Sequence, residues 1–161
     1  MKFKNLVLTL GVLMMLAFTS MAAAAPSQVN RSMTAINAAK AEIPAVCELV
    51  GYNVDGDTSI ITFNTLERYV VDVNTATAKV QEIEVKGATF VMGSTMVTKT
   101  PDDIEKIVLK NYPNAYEIVI TQGQDGNNIY YIADFLTDKF DGELKLDPVT
   151  GAICERELEY F

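Results

Sequence analysis

One stretch of this 161-residue chain occurs twice in diverged form. Asn74-Thr75-Ala76-Thr77-Ala78-Lys79-Val80 aligns with Asp147-Pro148-Val149-Thr150-Gly151-Ala152-Ile153. Apolar positions around it coincide at the same offset: Val71 with Leu144, Val73 with Leu146, Val85 with Leu158. Upstream, Ile43-Pro44 matches Tyr112-Pro113, and Asp55-Gly56 matches Asp125-Gly126. An internal repeat of this kind constrains the fold strongly, because the supersecondary unit one copy forms must be available to the other.

Each copy reads as one helix followed by four strands. In the first, Ile36, Ala39 and Ile43 give the spacing of one buried helical face. The helix is expected to start at Ser32 or Thr34 and to stop at Pro44. Strands are expected over 46–53, 59–63, 67–73 and 78–86. In the second copy, Thr100 caps a helix with Pro101 at its first position and Asp102 and Asp103 in its first turn. Ile104, Ile107, Val108 and Tyr112 form its inner face. Strands follow at about 115–122, 128–136, 142–147 and 152–161. Tyr116, Ile118 and Ile120 are expected to point inward, as are Leu144, Leu146, Leu158 and Tyr160. Their neighbours Glu143, Lys145, Glu157 and Glu159 make a polar, acidic outer face, as in an antiparallel sheet covered on one side. The expectation is an α+β fold of two tandem repeats, each one helix packed on a four-stranded antiparallel sheet. The first repeat spans 32–87 and the second 100–161. The apolar segment 88–99 is expected to pack between them.

Ahead of the first repeat, Lys2 and Lys4 precede an apolar run from Leu6 to Phe18 and the small residues Ala22 to Ala25. This is the layout of a signal peptide, expected to span 1–24, with an apolar core too short for a membrane span. Its removal takes the 13 Lys and Arg to 11 against 21 Asp and Glu, and the formal charge from −8 to −10. Such a balance repels nucleic acid and anionic lipid. The chain therefore reads as exported, periplasmic or extracellular, with no nucleic-acid partner and no membrane contact after cleavage.

The second copy resembles the PepSY family. The resemblance is carried by the helix leading into Asn111-Tyr112-Pro113-Asn114-Ala115, the alternating strands, and Leu146-Asp147-Pro148-Val149-Thr150-Gly151. The tandem form resembles the PepSY-like proteins grouped with β-lactamase inhibitory protein. The first copy departs from the pattern at Asn74 and Ala78. PepSY domains occur in propeptides of thermolysin-like metallopeptidases and in exported bacterial proteins, so the resemblance implies a stand-alone bacterial module with inhibition as one role.

Histidine is absent. That excludes triads built on imidazole and zinc sites that need it. No spacing singles out a catalytic pair among the carboxylates, so the chain reads as a non-enzyme without a cofactor. Asp55-Gly56-Asp57, Asp125-Gly126-Asn127-Asn128 and the run Asp138 to Glu143 are acid-rich, but none fits the EF-hand loop. Cys47 and Cys154 are the two cysteines. Two readings stand: buried thiols, or a disulfide tying the first strand to the last.

A non-catalytic module that binds a protein partner, an envelope or extracellular hydrolase such as a peptidase among them, is the leading functional reading. The alternative is a small-ligand or calcium-binding module. For the first, Tyr130, Ile132 and Leu136 lie on the strand face opposite Tyr131, Ala133 and Phe135. With Val119 they make an outer apolar patch, unless the other repeat covers them. Phe140 is expected to project from the adjoining turn, with Glu117 and Glu157 as a negative surround.

Overall fold

The structure, a computed structural model, describes residues 28–87 and 93–161. The expected signal peptide and residues 88–92 of the inter-repeat segment lie outside the described residues. The elements run α1 (Gln28–Glu42), β1 (Glu48–Asp55), β2 (Thr58–Asn64), β3 (Glu67–Asn74), β4 (Val80–Gly87), α2 (Pro101–Asn111), β5 (Tyr116–Asp125), β6 (Asn128–Leu136), β7 (Phe140–Leu146) and β8 (Ile153–Tyr160). The fold is α+β and every strand pairing is antiparallel.

The two separate four-stranded sheets expected from sequence are corrected to one. All eight strands form a single sheet in the order β1-β2-β3-β4-β8-β7-β6-β5. The last strand of each half joins the other, from Glu82 opposite Glu159 to Lys86 opposite Glu155. This seam removes two sheet edges, whose unpaired backbone groups would otherwise face solvent or another chain. Glu82–Glu159 and Glu84–Glu157 are like-charge pairs and oppose the join. Lys86 offsets them, with Nζ 3.3 Å from a Glu155 carboxylate oxygen, and Lys145 approaches the same carboxylate at 3.3 Å.

One core lies on one side of the sheet. A transverse row of partners, Ile61–Val71–Ile83–Leu158–Gly142–Phe135, crosses six strands and is buried throughout. Ala35, Ala39 and Ile43 of α1 and Ile104 and Val108 of α2 join that same cluster. α1 begins at least four residues before the expected start, and Ala35 rather than Ile36 centres its buried face. α2 starts where the sequence places it: the Asp103 N–H donates to Thr100 Oγ1 at 3.3 Å, and the Thr100 N–H donates to Asp103 Oδ2 at 3.0 Å. Each group satisfies a donor that helix geometry leaves open.

The two turns that align in sequence form alike. Asn74 Oδ1 accepts from the N–H groups of Ala76 and Thr77 and from Thr77 Oγ1, at 3.1, 3.0 and 2.9 Å. Asp147 Oδ1 accepts from Val149, Thr150 and Thr150 Oγ1, at 3.0, 2.7 and 2.8 Å. Ala78 and Gly151 then both turn left-handed, with φ of 56° and 76°. Of the inter-repeat segment, the described part runs along the second half. Ser94 and Ile129 exchange backbone hydrogen bonds, and the N–H groups of Thr98 and Lys99 donate to the Pro148 carbonyl.

Candidate docking surface

With both helices packed into one core, no helix among the described residues lies over the opposite face of the sheet. At the β5–β6 corner this open face is apolar. Its cross-strand pairs are Tyr116 with Leu136, Val119 with Asp134, Thr121 with Ile132 and Gly123 with Tyr130. Tyr116 and Val119 are 46% and 54% exposed. The Tyr130 ring folds down over Gly123, where a methyl group would meet it at 2.4 Å.

Tyr116 was expected to face inward with Ile118 and Ile120, and that reading is corrected. A bulge between Tyr116 and Val119, with Glu117 at φ 51°, inserts one residue into the alternation. An inserted residue reverses the phase of everything on one side of it. Ile118 and Ile120 still pack on the core, whereas Tyr116 turns out beside Leu136. Glu117 itself is exposed at the bulge.

Phe140 is also corrected. It opens β7 on the helix side, with its ring centroid 5.9 Å from Tyr112, 6.2 Å from Phe135 and 5.4 Å from Tyr160. These rings link the end of α2 to β8, and Tyr160 Oη reaches Glu42 Oε2 of α1 at 3.4 Å. An aromatic residue beside such partners gains more by tucking in than by standing in water. Phe140 therefore lies on the opposite side of the sheet from Tyr130, Ile132 and Leu136.

Beside the apolar corner, the open face is organised in transverse rows. One runs Leu136–Asp141–Glu159–Glu82–Asp72 and the next Asp134–Glu143–Glu157–Glu84–Val70. The third, Ile132–Lys145–Glu155–Lys86–Arg68, is mostly basic, with one glutamate between two lysines. Asp134, Asp141, Glu143, Glu157 and Glu159 line a shallow depression of about 180 Å³. Partial burial and then mutual repulsion raise the carboxyls of Glu82, Asp134 and Glu157, with Glu143 among the groups acting on both Asp134 and Glu157. Asp72 is raised by burial and by Glu84. Glu157, singled out from the sequence, sits in the middle of this field. Its neighbours Glu82 and Glu84 were not, because only the β4–β8 seam brings the first half's acids beside the second half's.

Among the described residues, no group of three or more carboxylates or thiols is placed to hold a metal ion. The acid-rich turns considered for calcium belong to three separate hairpins, β1–β2, β5–β6 and β6–β7. Cys47 and Cys154 are both free thiols, and the strand after Cys47 is four places from the strand carrying Cys154. Burial pushes the Cys154 thiol up to about 12, so it stays protonated and inert at neutral pH. Among the described residues, no helix is long and apolar enough to cross a membrane.

No family model matches the chain, and no curated protein does. Among solved structures it is similar to a putative lipoprotein from Clostridium difficile 630. The identity is 17%, over 78% of this chain and 90% of that one, with a TM-score of 0.32.

Proposed function

We propose that this chain is a non-catalytic, exported protein-binding module that docks a basic partner on the open face of its sheet. The observation that carries the reading is the apolar corner of Tyr116, Val119, Ile132 and Leu136 set against two rows of carboxylates. Apolar and aromatic side chains supply contact energy at an interface, and a field of one sign selects and steers a partner of the other. Lys86 pairs with Glu84 and Lys145 with Glu143, yet the chain keeps a formal charge of −8, from which a cationic partner gains.

Three further points support the reading. The N-terminal layout is that of an exported protein. The matching turns at Asn74 and Asp147 agree with a duplicated unit, and so with the PepSY-like resemblance. That resemblance makes a peptidase or other hydrolase the leading class of partner, with inhibition as the consequence of docking.

The test is to isolate the partner by cross-linking in the envelope fraction and then measure its affinity with purified components. Tyr116→Ala and Ile132→Asp should each weaken binding by more than about 1 kcal/mol with the melting midpoint kept. Affinity should fall as salt rises. Normal binding by both variants would place the interface elsewhere.

A further inference from the structure

The two sheet edges are built differently. At the β5 edge, α2 lies over β5 and β6, and Ile118 and Ile120 pack beneath it into the core. The β5 backbone is also broken by the bulge at Glu117. At the β1 edge, α1 lies over β2 and β3 instead. The helix-side residues of β1 are therefore left in solvent: Leu49 is 42%, Tyr52 37% and Val54 42% exposed. Their pairing with Phe63, Ile61 and Ser59 fixes them on that face.

Between the first turn of α1 and this strand runs an open cleft of about 410 Å³, with Arg31, Tyr52, Val54 and Thr75 among its lining residues. β1 itself has no lysine and no proline, the usual guards of an exposed edge. Its one irregularity falls between Leu49 and Gly51, so Tyr52 to Asp55 stay in regular register.

We infer that β1 is a second binding site, which takes an extended polypeptide segment as a ninth strand. An unpaired strand edge is satisfied best by another backbone, and alternate side chains of the added strand then read the two faces. On the helix side they meet the uncovered Leu49, Tyr52 and Val54, which fits apolar residues, beside a cleft whose lining also holds Arg31 and Asp57. On the open side they meet Glu48, Asn53 and Asp55, acidic at both ends. The occupant is thus a segment alternating apolar with basic residues. A second copy of this chain fits worse, since two chains of formal charge −8 would bring these acids together.

The probe is a labelled heptapeptide of alternating lysine and valine, blocked at both ends, titrated by fluorescence anisotropy. Binding should weaken at least tenfold with Val54→Lys and stay within twofold with Gln122→Lys on the opposite edge. Both positions are exposed, so both variants should keep the wild-type melting midpoint. Replacing the peptide lysines by glutamates, or N-methylating every backbone amide, should abolish binding. Equal binding of the N-methylated peptide would overturn strand addition, and an undiminished affinity of Val54→Lys would overturn the site. No peptide binding, with a dimer in sedimentation that Val54→Lys disperses, would assign the edge to a second copy and overturn the proposal.

Discussion

The two halves of the molecule share an element order and differ in where the helix sits. α2 covers its edge strand, whereas α1 is shifted one strand toward the middle of the sheet. α1 presents Ala35, Ala39 and Ile43 to the core over β2 and β3, while α2 presents Ile104 and Val108 over β5 and β6. One topology thereby yields a shielded edge and an open one.

The largest expected effect tests the half that is sealed by aromatic packing. Phe135 is fully buried and its ring lies 4.8 Å from Tyr112 at the end of α2. Phe135→Ala should cost about 3–5 kcal/mol in urea denaturation. A loss below about 1 kcal/mol would show that the aromatic cluster does not hold α2 in place.

The paired turns give the next contrast. Asn74→Ala and Asp147→Ala each remove an acceptor of three hydrogen bonds and should cost on the order of 1–2 kcal/mol. Only the second turn can titrate. Burial opposes ionisation of Asp147, but bonds from Thr150 and Val149 outweigh it and hold the carboxyl below its usual range. Its contribution is present above the unfolded carboxyl value near 4 and is lost as pH falls through the lower folded value. Asp147→Asn should therefore be less stable than the parent at pH 7, approach it in acid, and so show a smaller loss of stability on acidification.

A smaller effect separates Ala78 from Gly151. A left-handed residue with a Cβ carries a steric cost that glycine avoids. Ala78→Gly should stabilise by about 0.5–1 kcal/mol after the added freedom of the unfolded chain is subtracted. Gly151→Ala should destabilise, because its new methyl would also meet Ile107 Cδ1 at 2.5 Å. Equal and opposite outcomes would contradict the difference between the two sites.

The smallest effect is the pH response of the open face. Asp72, Glu82, Asp134 and Glu157 are all raised in the folded state. Groups so shifted contribute stability that is fully present below their unfolded values and is lost as pH rises through the folded ones. The melting midpoint should therefore climb modestly as pH falls from 7 toward the unfolded carboxyl values near 4, and Glu82→Gln should flatten the climb. A midpoint that falls steadily over that interval would contradict the crowding of like charge.

Local chemistry was legible in the sequence and long-range pairing was not. Thr100-Pro101-Asp102-Asp103 announces the start of α2, and the alternation of Leu144 and Leu146 with Glu143 and Lys145 announces a half-buried strand. The β4–β8 seam joins residues 69 to 77 positions apart, and nothing in Val80 to Gly87 marks them as an interior strand. Tyr116 was read on the wrong face because a bulge leaves no trace in hydrophobic pattern. Phe140, flanked by Asp138, Lys139 and Asp141, reads as a loop residue until Tyr112 and Tyr160 are beside it. The acid rows were half visible, as the outer face of β7 and β8.

Whether the open face docks the proposed partner can be read from methyl NMR of the complex with the isolated partner. Signals of Val119, Ile132 and Leu136 should shift on binding, while those of Ala35, Ile104 and Val108 beneath the helices should not. Shifts confined to the helix side, with Val119, Ile132 and Leu136 unmoved, would contradict docking there.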